Sequence, residues 1–203
     1  MKINLFLQGD IGVGKSKLIK ESLLPYLPKV GGFFVQRIFI GDRYAAFKLN
    51  PLHEAEEYEL NKNVTSLDLV DNLFLYSDAQ GRWYRNPDVF ENSGITCLKK
   101  SLVEKKDLIL LDELGGIELN CPAFMKEVLN VLNGDIPVLG VLKSTQNAEK
   151  MAVNLADKTK ISEHKNFFDY IKLDPRMELL NLNKKNYEEI TTIVKDYVEA
   201  VLK

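Results

Sequence analysis

Cysteine is scarce in this 203-residue chain: Cys97 and Cys121 are its two, and neither stands in a Cys-x-x-Cys pair or a Cys/His cluster of zinc-site spacing. That excludes a disulfide framework and a Cys/His zinc centre, and it leads to the expectation of reduced thiols in a cytoplasmic protein. Histidine is equally sparse. His53 and His164 lie in polar stretches with no carboxylate or thiol at ligand spacing, so both are expected at the surface, outside metal or acid–base chemistry. No apolar run approaches the roughly eighteen residues that cross a bilayer. The opening run, 3–7, is too short for the apolar core of a secretion signal. An excess of either charge is also missing, since 27 Lys and Arg against 29 Asp and Glu leave a net charge of −2. Without a basic field, neither general nucleic-acid binding nor membrane association is expected. Repeats and Gly/Ser/Pro-rich linkers are absent, which leads to one domain over 1–203. The sequence names no protein partner.

What is present is an alternation of short apolar runs with helical patterns. Residues 3–7 read as a strand buried on both faces, ending at Gly9. Leu18, Ile19, Leu23 and Leu24 then recur at helical spacing until Pro25 and Pro28. Two β-rich stretches, 33–40 and 43–49, flank the turn pair Gly41-Asp42, and a second hairpin pairs 73–76 with 82–84; both hairpins are expected to be antiparallel and peripheral. The Glu-rich stretch 52–66 reads as a solvated loop. A helix interrupted near Asn92-Ser93-Gly94 is expected over 88–106, followed by the apolar tetrad Leu108-Ile109-Leu110-Leu111. Phe124, Val128, Leu129 and Leu132 mark another helix, 136–142 a strand, 167–173 a last strand and 187–202 a closing amphipathic helix. Buried strands alternating with helices give an α/β fold, a mainly parallel sheet flanked by helices with added β-hairpins.

Between the first strand and first helix stands Gly9-Asp10-Ile11-Gly12-Val13-Gly14-Lys15-Ser16, a G-x-x-x-x-G-K-[ST] match. Glycines let the backbone curl so that successive N–H groups point into one concavity, and the following helix adds its unpaired N-terminal N–H groups. Residues 9–16, with the next amide at Lys17, are therefore expected to hold phosphates. Lys15 would reach the β- and γ-phosphates of a nucleoside triphosphate, and the Ser16 hydroxyl would ligate Mg²⁺. The tetrad 108–111 ends in Asp112-Glu113, the form of a strand whose Asp also holds Mg²⁺. Glu113 would then orient or deprotonate an attacking water. The two motifs are expected to meet at the carboxyl ends of neighbouring strands, with the Ser16 and Asp112 oxygens roughly 4–7 Å apart. Lys15 is expected to face solvent, and Asp112 and Glu113 to point apart as successive strand residues do.

These motifs, together with Gly32-Phe33, Arg43 and Phe47, Gln80-Gly81-Arg82-Trp83-Tyr84 leading to Phe90, the segment Asp112-Glu113-Leu114-Gly115-Gly116-Ile117-Glu118-Leu119, and Asn186, resemble a known family. It is the nucleoside-triphosphatase family first described from thermophiles, which includes the animal cancer-related nucleoside-triphosphatase. The resemblance implies a P-loop NTPase fold close to nucleotide kinases and the RecA-like group, with Mg²⁺-dependent hydrolysis of ATP, GTP and other triphosphates. The chain departs from the family at Val35-Gln36-Arg37-Ile38-Phe39, where the family has Thr-x-Glu-Val-Arg, at Leu142 in place of His, and at Tyr187 in place of Arg.

Other readings stay open at this level. A nucleotide or small-molecule kinase would use the same loop with an acceptor in a groove lined by 33–49, and a nucleotide-dependent switch would use hydrolysis only as a reset. Arg37, Arg43, Arg82 and Arg85 are four candidates to neutralise transferring charge. Lys143, Lys150, Lys158 and Lys160 could form a lid, although a solvated loop explains them as well. Trp83, Tyr84 and Tyr187 are expected to pack rather than to stack on a base.

Overall fold

Apolar runs of four or five residues, too short to be amphipathic, become strands covered on both faces. The computed structural model describes residues 3–53, 57–143 and 158–203, the stretch 158–165 by its backbone alone. Nine strands join in one sheet among the described residues: β1 (Asn4–Gly9), β2 (Val30–Ile40), β3 (Arg43–Pro51), β4 (Asn61–Asn63), β5 (Leu73–Ser77), β6 (Trp83–Arg85), β7 (Leu108–Leu114), β8 (Val138–Leu142) and β9 (Met177–Leu182). The α-helices are α1 (Lys15–Leu23), α2 (Ile95–Val103), α3 (Pro122–Asn133), α4 (Lys158–Leu173) and α5 (Tyr187–Leu202). Spatial order is β6-β5-β3-β2-β7-β8-β1-β9. From β2 to β9 every pairing is parallel; β3, β5 and β6 extend that core antiparallel. None of the described helices is long and apolar enough to cross a membrane.

Alternation along β7 divides the core in two. Leu108 and Leu110 face α1 and α5, packing with Leu18, Ile19, Ile190, Val194 and Val198. Ile109 and Leu111 face α2, α3 and α4, packing with Leu98, Phe124, Val128 and Phe168. All four β7 residues are wholly buried, each worth about 1.5–3 kcal/mol of transfer free energy against the entropy of ordering the chain. Helix α5 buries Ile190, Val194, Val198 and Leu202 at steps of four, and its Tyr197 Oη donates to Ile3 O (2.7 Å) and Val138 O (3.1 Å), tying it to the start of β1.

Five expectations need correction. The stretch 167–173 belongs to helix α4, because its buried Phe167, Phe168 and Ile171 fall at i, i+1 and i+4. The last strand is instead β9, which pairs with β1 along its whole length. The first hairpin is not peripheral, since residues 30–33 of β2 pair with 108–111 of β7 and make β2 part of the parallel core. The loop 52–66 contains β4 and a buried residue: β2 outruns β7, so β4 takes the pairing positions beside 37–39, and Tyr58 packs on Phe34 with ring centroids 4.5 Å apart. Finally, β1 and β7 are not neighbours; β8 lies between them. The helix of 88–106 is interrupted as expected, by a π-type turn at Phe90–Gly94. His53 is half-buried rather than at the surface.

Phe124 lies at the centre of the second core, its ring 6.0 Å from Phe33 and 5.2 Å from Phe90. Phe124→Ala is expected to lower unfolding free energy by about 3–5 kcal/mol. Val103→Ala, on a side chain that is 81% exposed, should stay within about 0.5 kcal/mol of the parent. Urea melts of both variants measure the contrast.

Candidate active site

Strand β1 runs out at Gly9, and the backbone then curls through residues 10–14 into α1. Gly14 makes the entry: its φ is +104°, and a Cβ there would also stand 3.0 Å from Cε2 of Tyr187. Only glycine takes both constraints without strain. Tyr187, the first residue of α5, thus closes one side of the loop. Asn186 before it accepts from Asn183 N (2.8 Å) and donates to Asn181 O (2.8 Å), fixing the turn that presents Tyr187.

Lys15 does not face solvent. Its Nζ donates to the carbonyls of Gly9 and Asp10, both at 2.8 Å, and the side chain is half-buried. Burial lowers its pKa, while the nearby negative charges of Glu113, Asp112 and Asp10 oppose that shift. The ammonium takes these loop carbonyls as acceptors, which is why it folds inward. Lys17 leans on Glu21 (3.8 Å) on the exposed face of α1, and Ile11 is 78% exposed at the loop tip.

Across β8, the Ser16 hydroxyl donates to Asp112 Oδ1 at 3.0 Å, closer than the expected 4–7 Å. The other oxygen, Oδ2, accepts from Val35 N at 3.1 Å. Strand β2 has diverged from β7 by this point, so the carboxylate satisfies a backbone donor that the ladder no longer reaches. Asp112 is 2% exposed. Burial first, and the neighbouring Glu113 second, raise its pKa well above the ordinary carboxylate range.

Asp112 and Glu113 do not simply alternate. Leu111 pairs with Gly140 and Leu114 with Leu142, so two residues of β7 oppose one of β8. This is a β-bulge, and Glu113 within it has φ of +60°. The bulge turns Glu113 towards two cations, Arg37 Nη2 at 3.9 Å and Lys143 Nζ at 3.8 Å. Behind it, buried Glu118 Oε1 accepts from Gly115 N (2.5 Å) and Gly116 N (2.7 Å), holding the turn that follows.

Of the four arginine candidates, Arg37 alone stands beside Glu113 among the described residues. Arg43 donates to Ser77 Oγ and Asp78 O, Arg82 pairs with Asp78, and Arg85 lies on β6. Lys143 joins the site, whereas Lys150 and the side chains of Lys158, Lys160 and His164 lie outside what is described. Sequence reasoning did not place Val35 N, Tyr187 or the bulge; the only hint of the bulge was an acid pair followed by Gly115-Gly116. Ser16 and Asp112 offer two hard oxygen donors, and among the described residues no cluster of three or more His, Cys, Asp or Glu could hold a metal alone. Such a pair suits Mg²⁺, which keeps several waters and takes phosphate oxygens.

The model of the NTPase family matches residues 4–194. The chain is 32% identical over 143 residues to the nucleoside-triphosphatase THEP1 of Methanocaldococcus jannaschii, covering 69% of this chain and 78% of that one. It is 28% identical over 145 residues to the nucleoside-triphosphatase THEP1 of Thermotoga maritima, covering 71% and 76%. In fold it is similar to THEP1 from Aquifex aeolicus (TM-score 0.64, 18% identity) and to a human cancer-related nucleoside triphosphatase (TM-score 0.63, 17% identity). Each comparison covers 98% of this chain and 99% of the other.

The buried Asp112 yields a prediction with a definite sign. A carboxyl whose pKa is raised on folding holds its proton more tightly in the native state, so stability falls as pH rises from about 4 through the folded value. In metal-free buffer with EDTA, this site should therefore make the protein melt at lower temperature at pH 8 than at pH 5. Asp112→Asn should flatten that slope and melt at least as high as the parent at pH 8. A slope unchanged by the substitution would assign the pH dependence elsewhere.

Proposed function

The chain belongs to the NTPase family, and from that membership and the site geometry we propose that residues 1–203 form one Mg²⁺-dependent nucleoside triphosphatase domain acting in the cytoplasm. The enzyme hydrolyses nucleoside triphosphates to diphosphate and phosphate. The observation that supports the residue assignment is the Ser16–Asp112 contact at 3.0 Å, made across 96 residues and beside Lys15 and Glu113. A hydroxyl, a buried carboxylate, a half-buried ammonium and a Glu between two cations stand together here, and phosphoryl transfer uses a group of each kind.

In this reading the amides of residues 9–17 and the Lys15 ammonium hold the phosphates. Lys15 exchanges the Gly9 and Asp10 carbonyls for β- and γ-phosphate oxygens, which gives the half-buried ammonium anionic partners. Mg²⁺, held by Ser16 Oγ and Asp112 with water and phosphate oxygens, would supply neutralisation of the charge that builds on the phosphates. Arg37 and Lys143 flank Glu113 and stand where the γ-phosphate brings further negative charge. As they turn to it, the Glu113 carboxylate is free to accept a hydrogen bond from water. That water attacks the γ-phosphorus in line, a new P–O bond forming as the bond to the diphosphate oxygen breaks. Glu113 or a phosphate oxygen takes the proton.

Two variants test this. Lys15→Ala should abolish triphosphate binding in calorimetry while leaving the circular dichroism spectrum unchanged. Glu113→Gln should bind ATP or GTP with nearly parental affinity yet release phosphate about 10²–10⁴-fold more slowly. Turnover of Glu113→Gln within a few fold of the parent would remove Glu113 from the catalytic role and reopen the kinase and switch readings.

A further inference from the structure

A second concavity lies on the hairpin side of the site. It has a volume of about 630 Å³ and is lined by Tyr44, Phe47, Leu75, Trp83, Tyr84 and Arg85. Its walls follow from register. Leu75 pairs with Arg85 and Ser77 with Trp83, which places Leu75, Trp83 and Arg85 on one face of the sheet. Phe47 pairs with Leu75 on that face. Ile38 pairs with Ala46 but Phe39 with Tyr44, so Ala45 is an extra residue, and this bulge swings Tyr44 onto the side of Phe47 and Trp83. The Tyr44 ring stands 5.6 Å from Trp83 and meets Phe47 edge-on at 4.9 Å.

Packing alone does not account for these aromatics. Trp83 is 46% exposed, which leaves much of its indole in water, whereas Tyr84 at the rim is engaged by stacking on Tyr76 and by its hydrogen bond to Asp78. Arg85 is exposed and has no ion pair or side-chain hydrogen bond among the described residues, although Arg82 and Arg43 of the same hairpins are engaged with Asp78. The Tyr44 hydroxyl is buried without a hydrogen-bond partner among the described residues. A planar ring can stack on Trp83 and Tyr44, and an anionic group can pair with Arg85.

The position in the sheet decides which ligand this is. Tyr187 stands against Gly14 on the β9 side of the loop, whereas Arg37, Lys143 and Glu113, which the proposed function sets around the γ-phosphate, stand on its other side. The concavity lies on the opposite side of Glu113. Tyr44 pairs with Phe39 on the same strand as Arg37, and the charges of Arg37 and Glu113 are felt at its hydroxyl. It is therefore the γ-phosphate, not the base, that points towards it.

We propose that the Tyr44–Trp83–Arg85 concavity binds a second ligand, a heteroaromatic ring bearing a phosphate, of which a nucleoside monophosphate is the simplest example. The inference rests on the assignment of residues 9–17 as the triphosphate site only for the direction of the γ-phosphate.

Trp83 is the only tryptophan of the chain, so its emission reports this concavity directly. The full chain is titrated with AMP, GMP, CMP and UMP, with ribose 5-phosphate and adenosine as ring-less and phosphate-less controls. Each titration is run with and without Mg²⁺ and inorganic tripolyphosphate to fill the loop. At least one monophosphate should change Trp83 emission saturably below about 5 mM, more strongly than either control. The change should persist with tripolyphosphate and in Lys15→Ala, and Arg85→Ala should weaken it at least about tenfold while its circular dichroism spectrum stays parental. No saturable change, a change displaced by tripolyphosphate or lost in Lys15→Ala, or an unaltered affinity in Arg85→Ala overturns the proposal. Failure of the loop assignment would show separately, as triphosphate binding retained by Lys15→Ala in calorimetry.

Discussion

One buried carboxylate joins the parts of this molecule that chemistry needs together. Asp112 is reached from α1 by Ser16 and from β2 by Val35, and it is itself a residue of β7, so three elements far apart in sequence are fastened at two oxygens. Breaking either contact would leave a buried charge with unspent acceptor capacity, which is more costly than the bond itself is worth. The price of that arrangement is a carboxyl whose burial disfavours ionisation, in a position where a cation is the natural remedy. The apolar tetrad before it serves mainly to hold this residue at a fixed depth between two packed faces.

The next residue is governed by backbone rather than by burial. Glu113 takes a left-handed conformation within a bulge, a state that costs on the order of 1–3 kcal/mol for a residue with a side chain. The turn that follows offsets this, because the Glu118 carboxylate gathers two consecutive N–H groups and because glycines at 115 and 116 let Phe168 and Lys143 approach closely. The same bulge points Glu113 away from Asp112 and towards Arg37 and Lys143. Two adjacent acids therefore have separate surroundings, one enclosed and one between two cations.

Much of this was legible in the sequence, for identifiable reasons. The glycine loop could be read because glycine spacing and a following helical pattern report backbone shape directly, and β7 because a tetrad buried on both faces has no polar alternation to obscure it. The closing helix α5 was plain from its four-residue steps. Legibility failed where the deciding contact was not local. Whether 167–173 is strand or helix depends on which side meets the sheet, and its aromatic pair suits either period. That β8 separates β1 from β7 is a property of strand order, on which local pattern is silent. Arg37 could not be chosen among four arginines because its selection is made by the bulge at Glu113, and the glycine pair that hints at a bulge does not say which way it turns the side chain.

The placement of β1 has a consequence for how the enzyme comes into being. Lying between β8 and β9, with Tyr197 of α5 bonded to Ile3 at its start and Tyr187 against Gly14 at its end, the first strand is bordered entirely by late parts of the chain. Pairings at such sequence separation carry a loop-closure cost that must be met before they stabilise anything. The phosphate loop is therefore framed by residues made long after it, and its shape depends on their docking rather than on its own glycines alone.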